Sequence, residues 1–323
     1  MQNTHHEVVD IERWIELYPL ETFENEETEA PPICPPEAND EQKRAWQYLY
    51  GDSQCLEKAE GQIIVSPADL AMIEQVRRRA SQTHSLGKAV PTDIFLLGVG
   101  EPEAPCLTKV GGIPYRPADK PWPRANDGTP LSFFLQFCFL DSKDLVPSNL
   151  PGDVMLLFVR NWDSLTKPAE TDSYRIEWSR IPLHNPVAAG QCPEQPIAAP
   201  KYYGAIYRTN EYPESEGVFE QEGHESYWLF AKTQATRIGG DTWFIQYDHD
   251  PRQQGETLLC TFNCVYLKGR AGSEVRFPFV NVDSSRRLSK EQISTMRIIL
   301  GDCGCLYFLV DEQGNVRWEH QCY

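Results

Sequence analysis

From residue 93 onward, short apolar runs alternate with clusters of proline, glycine and small polar residues, which is the pattern of strands joined by turns. The runs predict strands at 94–97, 131–139, 153–160, 173–179, 202–207, 226–232, 242–247, 257–267 and 304–310. Ahead of them the apolar spacing is helical. Asp10 can cap a short helix that carries Ile11, Trp14, Ile15 and Tyr18 on one side and is stopped by Pro19. Asp40 can cap another, with Ala45, Trp46, Leu49 and Tyr50 as its stripe. Ser66-Pro67-Ala68-Asp69 starts a third, in which Leu70, Ile73, Val76 and Ala80 face the core and Arg77, Arg78 and Arg79 mostly face out. A late helix is expected from Ser289, with Gln292 closing a capping box, Ile293, Met296, Ile299 and Leu300 inward, and Gly301 as its stop.

One phrase occurs twice. Lys109-Val110-Gly111-Gly112 returns as Arg237-Ile238-Gly239-Gly240, and each copy is followed by an aromatic-rich run and then by a glycine-led strand, Gly152 to Val159 and Gly304 to Val310. A repeated order of elements predicts two related halves, about 93–160 and 226–310. The expected class is α+β and β-rich, with mainly antiparallel sheets in two pseudo-repeated halves and a few peripheral helices. Residues 1–60 are expected to form an acidic helical segment docked on a main body of residues 61–323, because their apolar stripes need a surface to cover.

Composition agrees with a folded β-rich body: 41% of the 323 residues are hydrophobic, and 25 prolines and 21 glycines suit many turns. The charge is more informative. The net charge is −17, of which residues 1–60 supply −11 from 15 acidic and 4 basic side chains. Such a field repels nucleic-acid phosphate and attracts basic partners. No secretory signal opens the sequence, and no apolar stretch approaches the roughly 20 residues needed to span a bilayer. The expectation is a cytoplasmic protein without membrane contact, whose ten cysteines are reduced.

Three passages resemble the YwqG-like family of mainly bacterial proteins. They are Lys109 to Pro117 with Trp122-Pro123 and Pro130 to Phe137 behind it, Arg237 to Gly240 with Phe244-Ile245-Gln246, and Gly301 to Phe308. The resemblance covers about residues 95–323. It implies a β-rich fold of two similar halves and no established catalytic residues; no cofactor is expected. It also implies an association with bacterial polymorphic toxins, near whose genes relatives occur and where small acidic proteins serve as immunity factors. The Cys-x-x-Cys pair of some relatives is replaced here by Arg124-Ala125-Asn126-Asp127-Gly128.

The residues themselves offer little catalytic pattern. The double glycines could cradle an anion, but neither copy ends in the Lys-Ser/Thr of a phosphate loop, and tight turns at positive φ explain them better. Cys260, Cys264, Cys303, Cys305, His320 and Cys322 could converge on zinc, yet their spacings match no usual zinc site and buried thiols are the plainer reading. Asp248-His249-Asp250 and Glu222-Gly223-His224-Glu225 read as polar loops, and no nucleophile motif accompanies them.

The expected function is therefore that of a non-enzymatic binding protein, an immunity protein that neutralises a nuclease-type toxin. Glu24, Glu26, Glu27, Glu29, Asp40 and Glu41 would meet the toxin's basic surface. The alternative is a hydrolase-like enzyme with its site in the cleft between the halves.

Overall fold

The computed structural model describes residues 4–17, 67–166, 173–221, 231–233, 235–241, 244–246, 250–265, 274–275, 286–287, 298–301 and 304–322. Its helices are α1 (Ile11–Leu17), α2 (Pro67–Thr83) and α3 (Glu216–Gln221). Its strands are β1 (Val90–Val99), β2 (Lys109–Val110), β3 (Ser132–Cys138), β4 (Val154–Val159), β5 (Tyr174–Ser179) and β6 (Tyr202–Glu211). They continue with β7 (Arg237–Gly239), β8 (Thr257–Asn263), β9 (Glu274–Val275), β10 (Arg286–Arg287), β11 (Cys305–Val310) and β12 (Val316–Gln321).

Ten of these strands make one antiparallel sheet in the order β12-β11-β8-β7-β1-β6-β2-β3-β4-β5, and β9 pairs with β10 separately. The long central pair β1 and β6 runs in register from Val90–Glu211 to Val99–Tyr202. The sheet is nearly closed. Phe134 of β3 meets Phe262 of β8 edge-on at 5.5 Å between ring centroids, and Phe137 of β3 meets Phe308 of β11 at 5.9 Å. β3 and β8 stand five places apart, so a flat sheet would separate them by about 24 Å at ~4.8 Å per strand. Only a strongly curled sheet brings these rings together. Its concave face holds the main core, with Phe95, Tyr202, Ile206, Leu157, Phe308 and Trp318 among its buried members.

Strand alternation sends the neighbouring residues outward, where other segments cover them. On β1 and β6, Ile94, Leu96, Ala205 and Tyr207 pack under Leu70 of α2, with Ile11 and Trp14 of α1 against the same cluster. Ile73, Val76 and Ala80 of α2 bury against Phe219 of α3. On β3 and β4, Phe133, Cys138, Leu156 and Phe158 lie beneath Cys106, Tyr115 and Leu131, with Trp122 capping Phe158 edge-on.

The N-terminus is stitched into the sheet. β2 pairs with β6 only at residues 202 and 203. Further along that edge, Val9 N–H donates to Ile206 O at 2.8 Å and Ile206 N–H donates to Glu7 O at 2.7 Å. α1 begins just after, with Arg13 N–H donating to Asp10 Oδ1 at 3.3 Å, and Arg78 of α2 clasps Glu12 with two guanidinium nitrogens.

Several expectations change. Arg77 is buried rather than outward, because its guanidinium finds Thr209 and Thr233 under the helix. Residues 244–246 are irregular, not strand: Phe244 and Ile245 turn inward onto Tyr307. Residues 298–300 are extended, not helical, since Ile298 exchanges two backbone bonds with Val265, and Ile299 is exposed. The segment 316–321, whose polar alternation hid it, is strand β12. The helices expected after Asp40 and Ser289, and residues 226–230, fall outside the described residues, apart from 298–300. Among the described residues no helix is long and apolar enough to cross a membrane.

Candidate functional site

Both copies of the repeated phrase enter the sheet in the same way. β2 lies between β6 and β3, and β7 lies between β1 and β8. All four glycines that follow adopt positive φ: 62° and 74° at Gly111 and Gly112, 70° and 77° at Gly239 and Gly240. This is the left-handed region that side chains disfavour, so the doubled glycine is required by the turn. The second glycine also makes room for a carboxylate. A Cβ on Gly112 would stand 2.6 Å from Glu101 Oε1, and one on Gly240 would stand 2.7 Å from Glu211 Oε2.

The base that opens each phrase is buried, but the two bases differ in partners. Arg237 forms an ion pair with Glu211, which is itself fully buried, and gives its other nitrogen to Asp241 O at 2.7 Å. Glu211 further accepts Thr233 N–H at 2.7 Å and Asp241 N–H at 3.0 Å. Burial pushes the Glu211 carboxyl above its ordinary range, opposed by the charges of Arg237 and Arg77. Lys109 is only 2% exposed, yet among the described residues its ammonium has no hydrogen bond and no carboxylate within 4 Å. Burial pulls its pKa down to about 8, against a longer-range pull from Glu101. Glu101 instead holds Lys201 Nζ at 2.5 Å.

Around Lys109 the covered polar groups are otherwise satisfied. Gln136, opposite Lys109 on β3, accepts Tyr115 N–H at 2.9 Å and donates to Pro105 O and Leu107 O. Arg116 and Lys120 share Glu177 at 3.2 Å each, while Arg116 lies over the Trp122 ring at 5.2 Å. Cys106 and Cys138 act on each other, which holds the Cys106 thiol down and pushes the Cys138 thiol up. Cys192 is raised by burial, against the charges of Arg116 and Lys109.

A third cluster carries a His–Asp pair. The His6 ring bonds Asp141 Oδ2 through Nδ1 at 2.7 Å, and its Nε2 accepts Thr108 N–H at 3.0 Å. The backbone N–H of His6 also reaches Asp141, at 2.9 Å, and the His5 ring binds the other oxygen. Burial alone would raise the Asp141 carboxyl, but these bonds hold it well below the usual carboxylate range. Both ring nitrogens of His6 are committed to holding the N-terminus, so this pair has no free nitrogen to act as a base. Nearby, fully buried Asp93 takes two nitrogens of Arg208 at 2.8 Å each and the Ser142 hydroxyl at 2.6 Å.

The acidic residues expected to meet a partner, Glu24, Glu26, Glu27, Glu29, Asp40 and Glu41, lie outside the described residues, as do Cys303, His224, Asp248 and His249. Of the other cysteines weighed as ligands, Cys260 and Cys305 are buried in β8 and β11 with thiols raised by burial. Cys264 bonds Gly304 O and accepts Leu300 N–H. His320 bonds Leu300 O at 3.2 Å and is lowered by burial. Among the described residues no three His, Cys, Asp or Glu side chains stand close enough to hold a metal ion. Sequence reasoning missed Glu101, Glu211, His6 and Asp141, whose roles come from partners distant in the chain; the doubled glycine was the one local signal pointing to the first two.

Residues 108–317 match the model of a family described as Domain of unknown function (DUF1963), which is 210 of the 323 residues. No curated protein matches the chain.

Proposed function

From a chain that belongs to the DUF1963 family, described only as a domain of unknown function, we propose a non-enzymatic protein that binds a basic partner through its acidic N-terminal segment. The observation that carries this reading is the anchoring of that segment at both ends. Residues 7–9 are stitched to β6, and α1 and α2 are clasped by Arg78 and Glu12. The chain between Leu17 and Pro67 carries 11 acidic and 3 basic side chains. Negative charge concentrated in one stretch of sequence raises encounter rates with a cationic surface. The buried charged groups of the described clusters are mostly spent on one another, and no nucleophile–base pair stands among them.

Within that role we place the chain with the YwqG-like group, on the residues from Lys109 to Phe137 and from Gly301 to Phe308, and read it as an immunity protein for a nuclease-type toxin in the cytoplasm. A nuclease surface is basic because it grips phosphate, and Glu24, Glu26, Glu27, Glu29, Asp40 and Glu41 supply the complement. We also read residues 93–160 and 226–310 as two copies of one unit; the matched places of β2 and β7, each one strand from the central pair β1 and β6, support this. The test is co-expression with the product of the adjacent gene. A complex that forms, rescues growth and associates more slowly when the six acids are changed to lysine supports the role. No complex and no rescue removes it.

A further inference from the structure

The two glycine phrases present a buried cation in two different states, and the difference points to a ligand. In the second phrase, Arg237 meets the carboxylate that sits against Gly240. In the first, Glu101 sits against Gly112 in the same manner, but its oxygen is taken by Lys201, and among the described residues the buried Lys109 ammonium is left without a carboxylate within 4 Å. Nearby, Glu177 of β5 is shared by Arg116 and Lys120.

We propose that Lys109 is the floor of a small-anion site, in which a phosphate or carboxylate group stands beside its ammonium as the Glu211 carboxylate stands beside Arg237. Lys201 and Glu101 form the lip. Their side chains are 58% and 28% exposed, whereas Lys109 is enclosed. An entering anion competes with Glu101 for Lys201 and adds the counter-charge that Lys109 lacks. Removing an ion from water costs free energy, so a buried ammonium without a partner gains more from an anion than a solvated surface lysine does. The site is separate from the acidic segment and does not depend on the protein partner proposed above.

The full chain, labelled at lysine side-chain carbons, is titrated with inorganic phosphate and, in a second arm, with acetate, both at ionic strength matched with chloride. Saturable movement of the Lys109 signal and a rise in its pKa in either arm support the site, and the arm that binds more tightly identifies the anion class. Lys109→Met abolishes the saturable binding, and Lys201→Met weakens it at least about tenfold, which is roughly 1.4 kcal/mol. A Lys109 signal that shows no saturable response to either anion in the unmodified protein overturns the proposal, whatever the variants do. So does binding of undiminished affinity in a folded Lys109→Met protein.

Discussion

Tyr174 on β5 packs edge-to-face against Trp318 on β12, with ring centroids 5.4 Å apart, and so joins the two end strands of the sheet. Asn149 Nδ2–H donates to Glu312 O at 2.8 Å and adds a polar link between the same arms. Trp318 is nearly fully buried, but among the described residues its indole N–H has no acceptor. Trp318→Ala is expected to cost about 3–5 kcal/mol in urea unfolding, through lost burial and a cavity at the seam. Trp318→Phe keeps the ring and removes the orphaned donor, so it should cost markedly less. A double-mutant cycle with Tyr174→Leu should return a coupling of roughly 0.5–1.5 kcal/mol. Zero coupling would mean that the seam is not closed in solution.

The Arg237–Glu211 pair should behave as a buried ion pair does. Glu211→Gln or Arg237→Met alone leaves an unmatched charge and is expected to cost about 3–5 kcal/mol, while the double variant should recover much of that loss. Gly240→Ala should damage the same pair by another route. Its φ of 77° strains any side chain, and the new methyl would press on Glu211 and Thr92. A loss of about 1–3 kcal/mol is expected from strain alone. If Gly240→Ala melted like the unmodified protein, the carboxylate could not be seated where the fold puts it.

Much of this architecture can be read along the chain, for identifiable reasons. The strands at 132–138, 154–159, 174–179 and 305–310 are continuous apolar or alternating runs bounded by turns, and they sit within two residues of where the pattern puts them. Leu70, Ile73, Val76 and Ala80 are buried as their spacing requires. What resisted reading depends on tertiary partners. Two-residue β2 is too short to carry a period. β12 alternates polar residues that the curled seam half-buries. Arg77 belongs to a run of three arginines, and tertiary partners, among them the Thr209 and Thr233 hydroxyls, turn it inward. The site residues follow the same rule: Lys109 and Arg237 stand inside a visible motif, but Glu211 ends the long strand β6 far from its phrase, and nothing local marks its charge as buried.

The His6–Asp141 latch should govern the N-terminal stitch. His6→Ala removes an acceptor from Thr108 N–H and a donor from Asp141, for an expected loss of about 1–3 kcal/mol. Hydrogen exchange at the Ile206 amide, which donates to Glu7 O, should accelerate in the same variant. The pH dependence has a definite sign. The folded-state pKa of Asp141 is depressed, so its contribution is present above the unfolded value near 3.8 and is lost as pH falls below it. Asp141→Asn should flatten that acid limb. An unchanged limb would show that the latch does not hold Asp141 ionised.

Lys109 predicts the opposite limb. Its pKa is lowered to about 8 in the folded protein from 10.5, so between those values the unfolded chain binds a proton that the folded chain has released. Stability from this group therefore rises with pH from about 8 upward, by roughly 1.4 kcal/mol per pH unit while the difference lasts. The tyrosines Tyr202, Tyr207 and Tyr307 are raised by burial, and they oppose the trend only above pH 10. The thiols of Cys192, Cys260 and Cys305, also raised by burial, oppose it already from about pH 9, so the lysine is read as the difference between the unmodified protein and Lys109→Met. Lys109→Met should be more stable than the unmodified protein at pH 7, because no ammonium has to be buried, and the advantage should shrink as pH approaches 10. Urea unfolding at a series of pH values measures both slopes. Equal slopes for the two proteins would mean that the Lys109 ammonium is not desolvated. If phosphate occupies the site, the rise should begin at a higher pH in phosphate than in chloride, because the bound anion restores the charged form.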